Sequence, residues 1–285
     1  MGATIINAPS KFKWVIYRGL HHLPLAKSLV AKREIAQLIE LASRSAERLQ
    51  DFTILDSGWA KKTSMFDTGN VQAKLANIDR IHGYYLLEGV LHSNHWSRIY
   101  EYPYASHQLK NIRKNGRILD CGSGLTSFQF YLAEEGFEVY AVDCWLPTLE
   151  IVATWKKEMG LTNLKPTFGS IFQIPFPDSH FDGATCISVI EHALMSPKNS
   201  KLMLKGAINE LLRVLKKGAP LVLTFDVNFG KEVRSLTLKQ YTELCNILNV
   251  ETMTLPEDRL YSSDTKEGSN MGKDLAVYSV TLIKS

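Results

Sequence analysis

Cysteine and long apolar stretches are both scarce in this chain of 285 residues. The four cysteines lie far apart and form no C-x-x-C pair, which argues against a zinc ribbon or a dithiol redox motif. Their simplest interpretation is buried thiols in a reducing compartment, so we expect a cytoplasmic protein. No apolar run approaches the ~18 residues of a membrane-spanning helix. The N-terminus also lacks the uninterrupted apolar core of a secretory signal.

Acidic residues are missing from the first 33 positions, which carry six basic residues. These are Lys11, Lys13, Arg18, Lys27, Lys32 and Arg33. Because the net charge of the whole chain is +4, the remainder is slightly acidic, which disfavours nucleic acid as a partner. The basic segment has two interpretations. We favour a short helix with a solvated basic face over a peripheral contact with acidic membrane lipids or an acidic partner.

Residues 1 to about 110 do not share the strand and helix alternation that follows them. Apolar residues at helical spacing predict a helix over about residues 31–50, whereas the polar stretch 51–76 predicts a loop. The next segment is rich in aromatic residues and histidine, and His92 and His95 lie one helical turn apart. No acid or cysteine is spaced to complete a metal site with them, so we expect aromatic packing and no metal.

The motif with the clearest chemical meaning is the segment 117–124, R-I-L-D-C-G-S-G. Its apolar run predicts a strand that ends at Asp120, and Gly122 and Gly124 allow a sharp turn with no Cβ between backbone and ligand. The residues that follow predict a helix, whose first N–H groups are free to bind. Asp143 ends a second predicted strand about 20 residues after Gly122, where a carboxylate can accept both hydroxyls of a ribose.

Two ligands fit this pattern: a dinucleotide and S-adenosylmethionine. The dinucleotide fingerprint G-x-G-x-x-G is incomplete, because Ser127 stands at its third glycine. Asp120 also suits a cationic amino acid end better than a phosphate. Residues 120–124 thus resemble motif I of the class I S-adenosylmethionine-dependent methyltransferases, with Thr126 where a third glycine is frequent in that family.

Strands and helices alternate from residue 117 onward, which predicts a parallel sheet with helices on both faces. The predicted strands cover residues 117–120, 138–143, 165–169, 183–189 and 220–225. Predicted helices begin near Pro147 and Lys201, and Thr237 with Gln240 predicts a capping box for a third. The last two predicted strands, 250–255 and 275–283, have no helix between them and therefore predict an antiparallel hairpin.

Three further segments resemble the same methyltransferases in the expected order. Residues 169–182 resemble the stretch from the donor's adenine into strand four, residues 187–192 the end of that strand, and residues 210–218 the approach to strand five. The resemblance implies an α/β fold: a Rossmann-like, seven-stranded class I methyltransferase sheet with an antiparallel last strand. It places this domain at residues 111–285, after an N-terminal helical cap or lid region at residues 1–110.

The resemblance also implies S-adenosyl-L-methionine as cofactor and assigns eight residues to it. They are Asp120, Gly122, Gly124, Asp143, Cys144, Trp145, Ser170 and Ile171. The first three would hold the methionine portion, Asp143 the ribose hydroxyls, and the next two would flank the adenine. Ser170 stands where relatives usually carry an acid for the adenine amino group.

Candidates for catalysis lie at the end of the fourth predicted strand. His192 is the first candidate base, since it titrates near neutrality and would face the edge of the sheet where ligands bind. The alternative, which is equally open, is that His192 packs under the lid and has no role as a base. Glu191 is the second candidate, or the group that orients the histidine. Four residues before motif I are candidates for acceptor contact, with a packed helix as the alternative: Arg98, Tyr100, Glu101 and Tyr104.

The sequence therefore predicts a methyltransferase acting on a small molecule, a glycan or a lipid-linked acceptor, with oxygen favoured as the accepting atom and carbon second. The Asn/Asp-Pro-Pro-aromatic motif of enzymes that methylate amino groups of nucleic-acid bases or glutamine is missing. Two alternatives remain open: a non-catalytic protein that binds the donor, and an NAD-dependent oxidoreductase. The oxidoreductase predicts a parallel final strand.

Overall fold

The structure, a computed structural model, describes residues 25–47, 49–62, 68–81, 95–194, 199–230, 235–260 and 274–285. Most of the basic segment, His92 and the interval 261–273 lie outside the described residues. Within them the chain forms an α/β fold, in which one sheet lies between two layers of helices. None of the helices in these ranges is long and apolar enough to cross a membrane.

Eight strands of the described residues join in the sheet. The strands are β1 (Phe52–Trp59), β2 (Arg117–Cys121), β3 (Glu138–Asp143), β4 (Leu164–Phe168), β5 (Gly183–Ile187), β6 (Pro220–Asn228), β7 (Leu236–Thr237) and β8 (Leu275–Lys284). The helices are α1 (Leu25–Ala46), α2 (Thr68–Ile81), α3 (Arg98–Leu109), α4 (Phe128–Glu134), α5 (Leu146–Glu158), α6 (Ile190–Ala193), α7 (Ser200–Val214) and α8 (Leu238–Leu248). The strand order is β1-β8-β6-β5-β2-β3-β4, and the short β7 pairs with β6.

Most of the predicted elements are confirmed. The strands from β2 to β6 pair in parallel, and β8 runs antiparallel to both of its neighbours. Their ends agree with the sequence prediction to within a few residues, although β6 continues to Asn228. Thr237 and Gln240 form the predicted capping box of α8, and Pro147 lies in the first turn of α5. The α/β sheet with its antiparallel last strand is therefore as predicted.

The predicted loop over residues 51–76 is wrong, because it contains β1 and the start of α2. The predicted terminal hairpin is also wrong, because β8 pairs with β1 and not with residues 250–255. β1 lies at the edge of the sheet, and its register shifts between Ile54 and Asp56. An edge strand with such an irregularity exposes side chains on both faces and loses its alternating pattern, so the sequence resembles a loop.

Residues 250–255 form no ladder, and at Met253 side chains satisfy the backbone instead. Its N–H donates to the Tyr241 hydroxyl at 3.2 Å. Its carbonyl accepts a bond from Trp59 Nε1, also at 3.2 Å. The segment that was predicted as a strand therefore contacts the end of β1, at Trp59, without pairing with it.

The two layers of helices cover opposite faces of the sheet. One core combines α7, α8 and part of α1 with the sheet, and the other combines α2 to α5 with it. Helix α1 lies against α7, where the backbone of Ala42 approaches Gly206. A Cβ at Gly206 would lie 2.5 Å from the Ala42 carbonyl oxygen, so the close approach of the two helices requires glycine there.

This contact predicts that Gly206→Ala lowers the free energy of unfolding by about 1–3 kcal/mol, since the clash is with rigid backbone. The loss should outweigh the ~1 kcal/mol that alanine gains over glycine in a helix. Gly69→Ala in α2 is the matched control, because no atom lies within 4 Å of its added Cβ. Denaturant unfolding of both variants measures the effect. Equal stability of the two would contradict the close packing of α1 on α7.

Candidate active site

The predicted glycine turn follows β2, and its two glycines have different roles. Gly122 has a φ of +71° and Gly124 a φ of +54°, a region that favours glycine. A Cβ at Gly122 would lie 2.4 Å from Val189 Cγ2, so this glycine lets the turn pack against the end of β5. At Gly124 the nearest atom to an added Cβ is 3.7 Å away. Gly124 is therefore the position where a ligand can approach the backbone.

Asp143 connects two turns at the carboxyl edge of the sheet. Its Oδ2 accepts a bond from the Gly124 N–H at 2.9 Å, and its Oδ1 accepts one from the Trp145 N–H at 2.8 Å. Burial raises the pKa of Asp143 in spite of these bonds. Each oxygen keeps acceptor capacity beyond its backbone bond, as the predicted contact with ribose hydroxyls requires.

Asp120 lies beneath the glycine turn and is only 4% exposed. Its Oδ1 accepts a bond from Thr185 Oγ1 at 2.8 Å. Burial raises the pKa of Asp120 to about 6, and the charge of Asp143 adds to this effect. A positively charged group beside Asp120 would relieve this cost, and the amino group of S-adenosylmethionine is such a group.

Unpaired polar atoms surround the same turn. Ser123 Oγ, Ser127 Oγ and Gln129 Oε1 are buried and have no hydrogen-bond partner among the described residues. Buried polar groups are normally paired, so these atoms fit a polar ligand at the turn. Together with the open space at Gly124 and the two acids, they fit the methionine and ribose portions of S-adenosylmethionine.

The residues predicted to flank the adenine lie beside Asp143. Trp145 is 39% exposed at the start of α5, and Cys144 is exposed next to it. The turn with Ser170 and Ile171 follows β4, the neighbour of β3. Ser170 Oγ accepts a bond from the Phe172 N–H at 3.3 Å, and the Ile171 side chain is largely buried. The structure thus places these four residues around one edge, and their contact with adenine stays a prediction.

A buried carboxylate whose role the sequence did not explain joins helix α3 to the end of β5 and the middle of β6. Glu101 accepts bonds from Arg98, from Ser188 Oγ at 2.7 Å and from Thr224 Oγ1 at 2.5 Å. Arg98 Nη1 also donates to Ser188 Oγ at 2.8 Å, and Ser188 has a φ of +50°. Burial opposes ionisation, but the charge of Arg98 and these hydrogen bonds hold the pKa of Glu101 below its usual range.

The two predicted tyrosines of α3 lie against β8. The Tyr100 hydroxyl is 3.0 Å from Ser279 Oγ, and the Tyr104 hydroxyl is 2.8 Å from Thr281 Oγ1. Both side chains are buried, and their rings stack with 5.6 Å between centroids. This is the arrangement of the packed-helix alternative, and acceptor contact by the two tyrosines stays a prediction.

The candidate acid and base residues lie on α6. Glu191 is 8% exposed, and its Oε1 accepts a bond from the Asp226 N–H at 3.3 Å. Burial raises the pKa of Glu191 well above its usual range and that of Asp226 to about 8. His192 is exposed, and its role as a base stays a prediction. The sequence analysis missed Asp226, because the predicted strand stopped one residue before it.

No group of three histidine, cysteine, aspartate or glutamate side chains in the described part of the chain could hold a metal ion. Asp120, Asp143, Glu191 and Asp226 make the carboxyl edge around the glycine turn acidic, and α3 and α6 border it. Its geometry suits a cationic, nucleoside-bearing ligand.

Comparison with known proteins agrees with this geometry. Residues 119–223 match a family described as "Methyltransferase domain". The chain is 32% identical over 115 residues to a demethylmenaquinone methyltransferase of a Geobacillus species, which covers 39% of this chain and 46% of that protein. It is 28% identical over 111 residues to an uncharacterized methyltransferase, YcgJ, of Bacillus subtilis, covering 39% and 41%. The chain thus spans less than half the length of these curated relatives.

Solved structures show weaker similarity. The [4+2]-cyclase SpnF has 16% identity and a TM-score of 0.49, with 80% of this chain and 99% of that chain covered. The YcgJ structure has 18% identity and a TM-score of 0.44, with 62% and 98% covered. Similarity at this level identifies no activity for this chain.

The glycine turn, its two acids and the domain match support a class I S-adenosylmethionine-dependent methyltransferase. Residues 119–223 are the part of the chain that matches the methyltransferase domain family, and the same features support S-adenosylmethionine as the cofactor. The oxidoreductase alternative required a parallel final strand, whereas β8 is antiparallel.

Replacement of Glu101 tests whether its buried carboxylate holds α3 against β5 and β6. Glu101→Gln should lower the free energy of unfolding by about 3–5 kcal/mol, because the Arg98 guanidinium would stay buried without its counter-charge. Glu40→Gln is the control, since its ion pair with Arg44 is exposed and should contribute at most about 0.5 kcal/mol. Denaturant unfolding near neutral pH compares the two. A loss at position 101 as small as that at position 40 would show that the ion pair does not hold α3.

The raised pKa of Asp226 predicts a pH dependence. This carboxyl ionises near pH 3.8 in the unfolded chain and near 8 in the folded protein, so its contribution to stability falls as pH rises between these values. The stability of Asp226→Asn relative to wild type should therefore improve from about pH 5 to about pH 8. Denaturant unfolding at both pH values measures the change, with Asp51→Asn as an exposed control. A constant difference across this range would mean that the Asp226 pKa is not raised.

Proposed function

We propose that the protein is an S-adenosylmethionine-dependent methyltransferase that acts on a small molecule, a glycan or a lipid-linked acceptor, with oxygen favoured over carbon as the accepting atom. The observation that carries the proposal is the joint placement of Asp120 and Asp143 beneath and beside the glycine turn. A non-catalytic protein that binds the same donor is the second candidate. The distinction between the two is turnover.

The cofactor would supply a methyl group on a sulfonium, activated for in-line displacement by the acceptor atom. The chain must then hold the donor, align the acceptor and exclude water. Asp120 would attract the cationic amino end, and Asp143 would accept the ribose hydroxyls. For a hydroxyl acceptor, Glu191 or His192 would take the proton that leaves the oxygen.

Similarity to the relatives does not identify the acceptor of this chain. The family match ends at residue 223, before Asp226, and begins at residue 119, after α3. Helix α3 and Asp226 border the edge of the sheet beyond the donor site, where the acceptor would lie. The name of the Geobacillus relative therefore supports donor binding in this chain more than it supports a quinone acceptor.

Calorimetric titration with S-adenosylmethionine, S-adenosylhomocysteine and NADH tests the proposal. The first two should bind with micromolar affinity, about −8 kcal/mol, and NADH should not bind. Asp143→Ala should weaken both at least tenfold, because the ribose hydroxyls lose their acceptor. Asp51→Ala is the control, since Asp51 is exposed and precedes β1 at the opposite edge of the sheet. Unchanged affinity in Asp143→Ala would refute the ribose assignment, and binding of NADH alone would refute the proposed function.

A further inference from the structure

Two carboxyl groups at the carboxyl edge of the sheet each have one oxygen without a hydrogen-bond donor among the described residues. Glu191 Oε2 and Asp226 Oδ1 are both buried, and neither has a partner among the described residues. The Asp226 N–H donates to Glu191 Oε1, so the two residues are neighbours. A buried acceptor without a donor costs about 1–3 kcal/mol, and more when it is charged, so two such oxygens side by side indicate a ligand.

The surroundings of this carboxyl pair are acidic. Glu101 and Arg98 face it from α3, and Cys186 faces it from β5. Arg98 donates to Glu101 and Ser188, and its charge only partly offsets the burial that raises the Asp226 pKa. Burial and mutual repulsion raise the pKa of both carboxyls when nothing is bound, that of Asp226 to about 8.

The pair also lies close to the donor site. Val189, two residues before Glu191, contacts the position where a Cβ of Gly122 would be. Asp226 is on β6, next to β5 in the sheet. A group bound to both carboxyls would thus bring the rest of its molecule to the edge where the methyl group is presented.

We propose that Glu191 and Asp226 bind a positively charged nitrogen of the methyl acceptor, such as a protonated amine or a guanidinium. Such a group offers several N–H donors and a compensating charge, whereas a hydroxyl offers one donor and no charge. The acceptor is therefore an amine-bearing molecule, and the methylated atom is either this nitrogen after deprotonation or an atom elsewhere in the molecule. This inference rests on the proposed function, because it names the acceptor of the same site.

Binding of a cation should also displace protons. A positive charge between the two carboxyls favours their ionised forms, so the Asp226 pKa should fall from about 8 when the nitrogen binds. Binding near neutral pH should thus release protons to the solvent, and the apparent affinity should increase as pH approaches 8.

The test uses the full chain with S-adenosylhomocysteine and titrates it with n-propylammonium chloride, 1-propanol or sodium chloride. The two propyl compounds have the same shape, and only the first carries a charge. Propylammonium should bind with a millimolar dissociation constant, as suits a ligand of its size, and at least tenfold more tightly than propanol. NMR shifts of the protein measure binding, and proton release is followed in weakly buffered solution.

Asp226→Asn and Glu191→Gln should each weaken propylammonium binding at least tenfold and reduce proton release, whereas Asp51→Asn should change neither. The second variant serves if the first does not fold. Equal binding of propanol and propylammonium, no propylammonium binding, or full binding in both variants would overturn the inference. Calorimetry with S-adenosylhomocysteine alone keeps the two proposals apart, because its success with failed cation binding refutes only the amine assignment.

Discussion

The ionised side chain of Glu101 is the constraint on which the active-site edge depends. A carboxylate that is 0% exposed costs several kcal/mol unless its charge and its oxygens are satisfied. Arg98 supplies the charge, while Ser188 donates from the end of β5 and Thr224 from the middle of β6. The helix α3 can therefore pack only when both strands are in place. The same contacts hold Ser188 in its unusual backbone conformation, which directs Val189 onto Gly122.

The electrostatics of the site follow from an excess of buried acid. Burial raises the pKa of Asp120, Asp143, Glu191 and Asp226, and among these groups Arg98 is the basic side chain that the structure brings close. Each carboxyl costs stability while it lacks a cationic partner. A donor with a sulfonium and an ammonium, and an acceptor with a charged nitrogen, would both be attracted to such an edge. The protein thus gives up folding stability at positions where a cationic ligand can recover it.

The sequence predicted a structural element correctly where that element depends on residues close together in the chain. Apolar runs and turn residues predicted β2 to β6, the glycine turn and the capping box of α8, because each depends on neighbours within a few residues. It failed for β1, whose identity as a strand depends on pairing with β8 more than 200 residues later. It also missed Ser188, Thr224 and Asp226, since nothing near them in the chain shows that they meet Glu101 and Glu191 at one edge. The sequence predicted Arg98 and Glu101 as candidate acceptor contacts because they precede motif I. It did not predict that they contact each other, Ser188 and Thr224, because these residues are far apart in the chain.

The described N-terminal residues are for this reason part of the sheet, through β1, as well as part of one helical layer, through α2 and α3. Without β1, the strand β8 would expose the backbone groups that now pair with residues 52–59. Trp59, at the end of β1, packs on Tyr241 and Tyr278 and fixes the path of residues 250–255 through its bond to Met253. Helix α3 packs on the sheet through its hydrogen bonds to β5, β6 and β8. The strand β1 and the helix α3 thus contribute to the stability of the sheet, so a substitution in either element must preserve the contacts that close it.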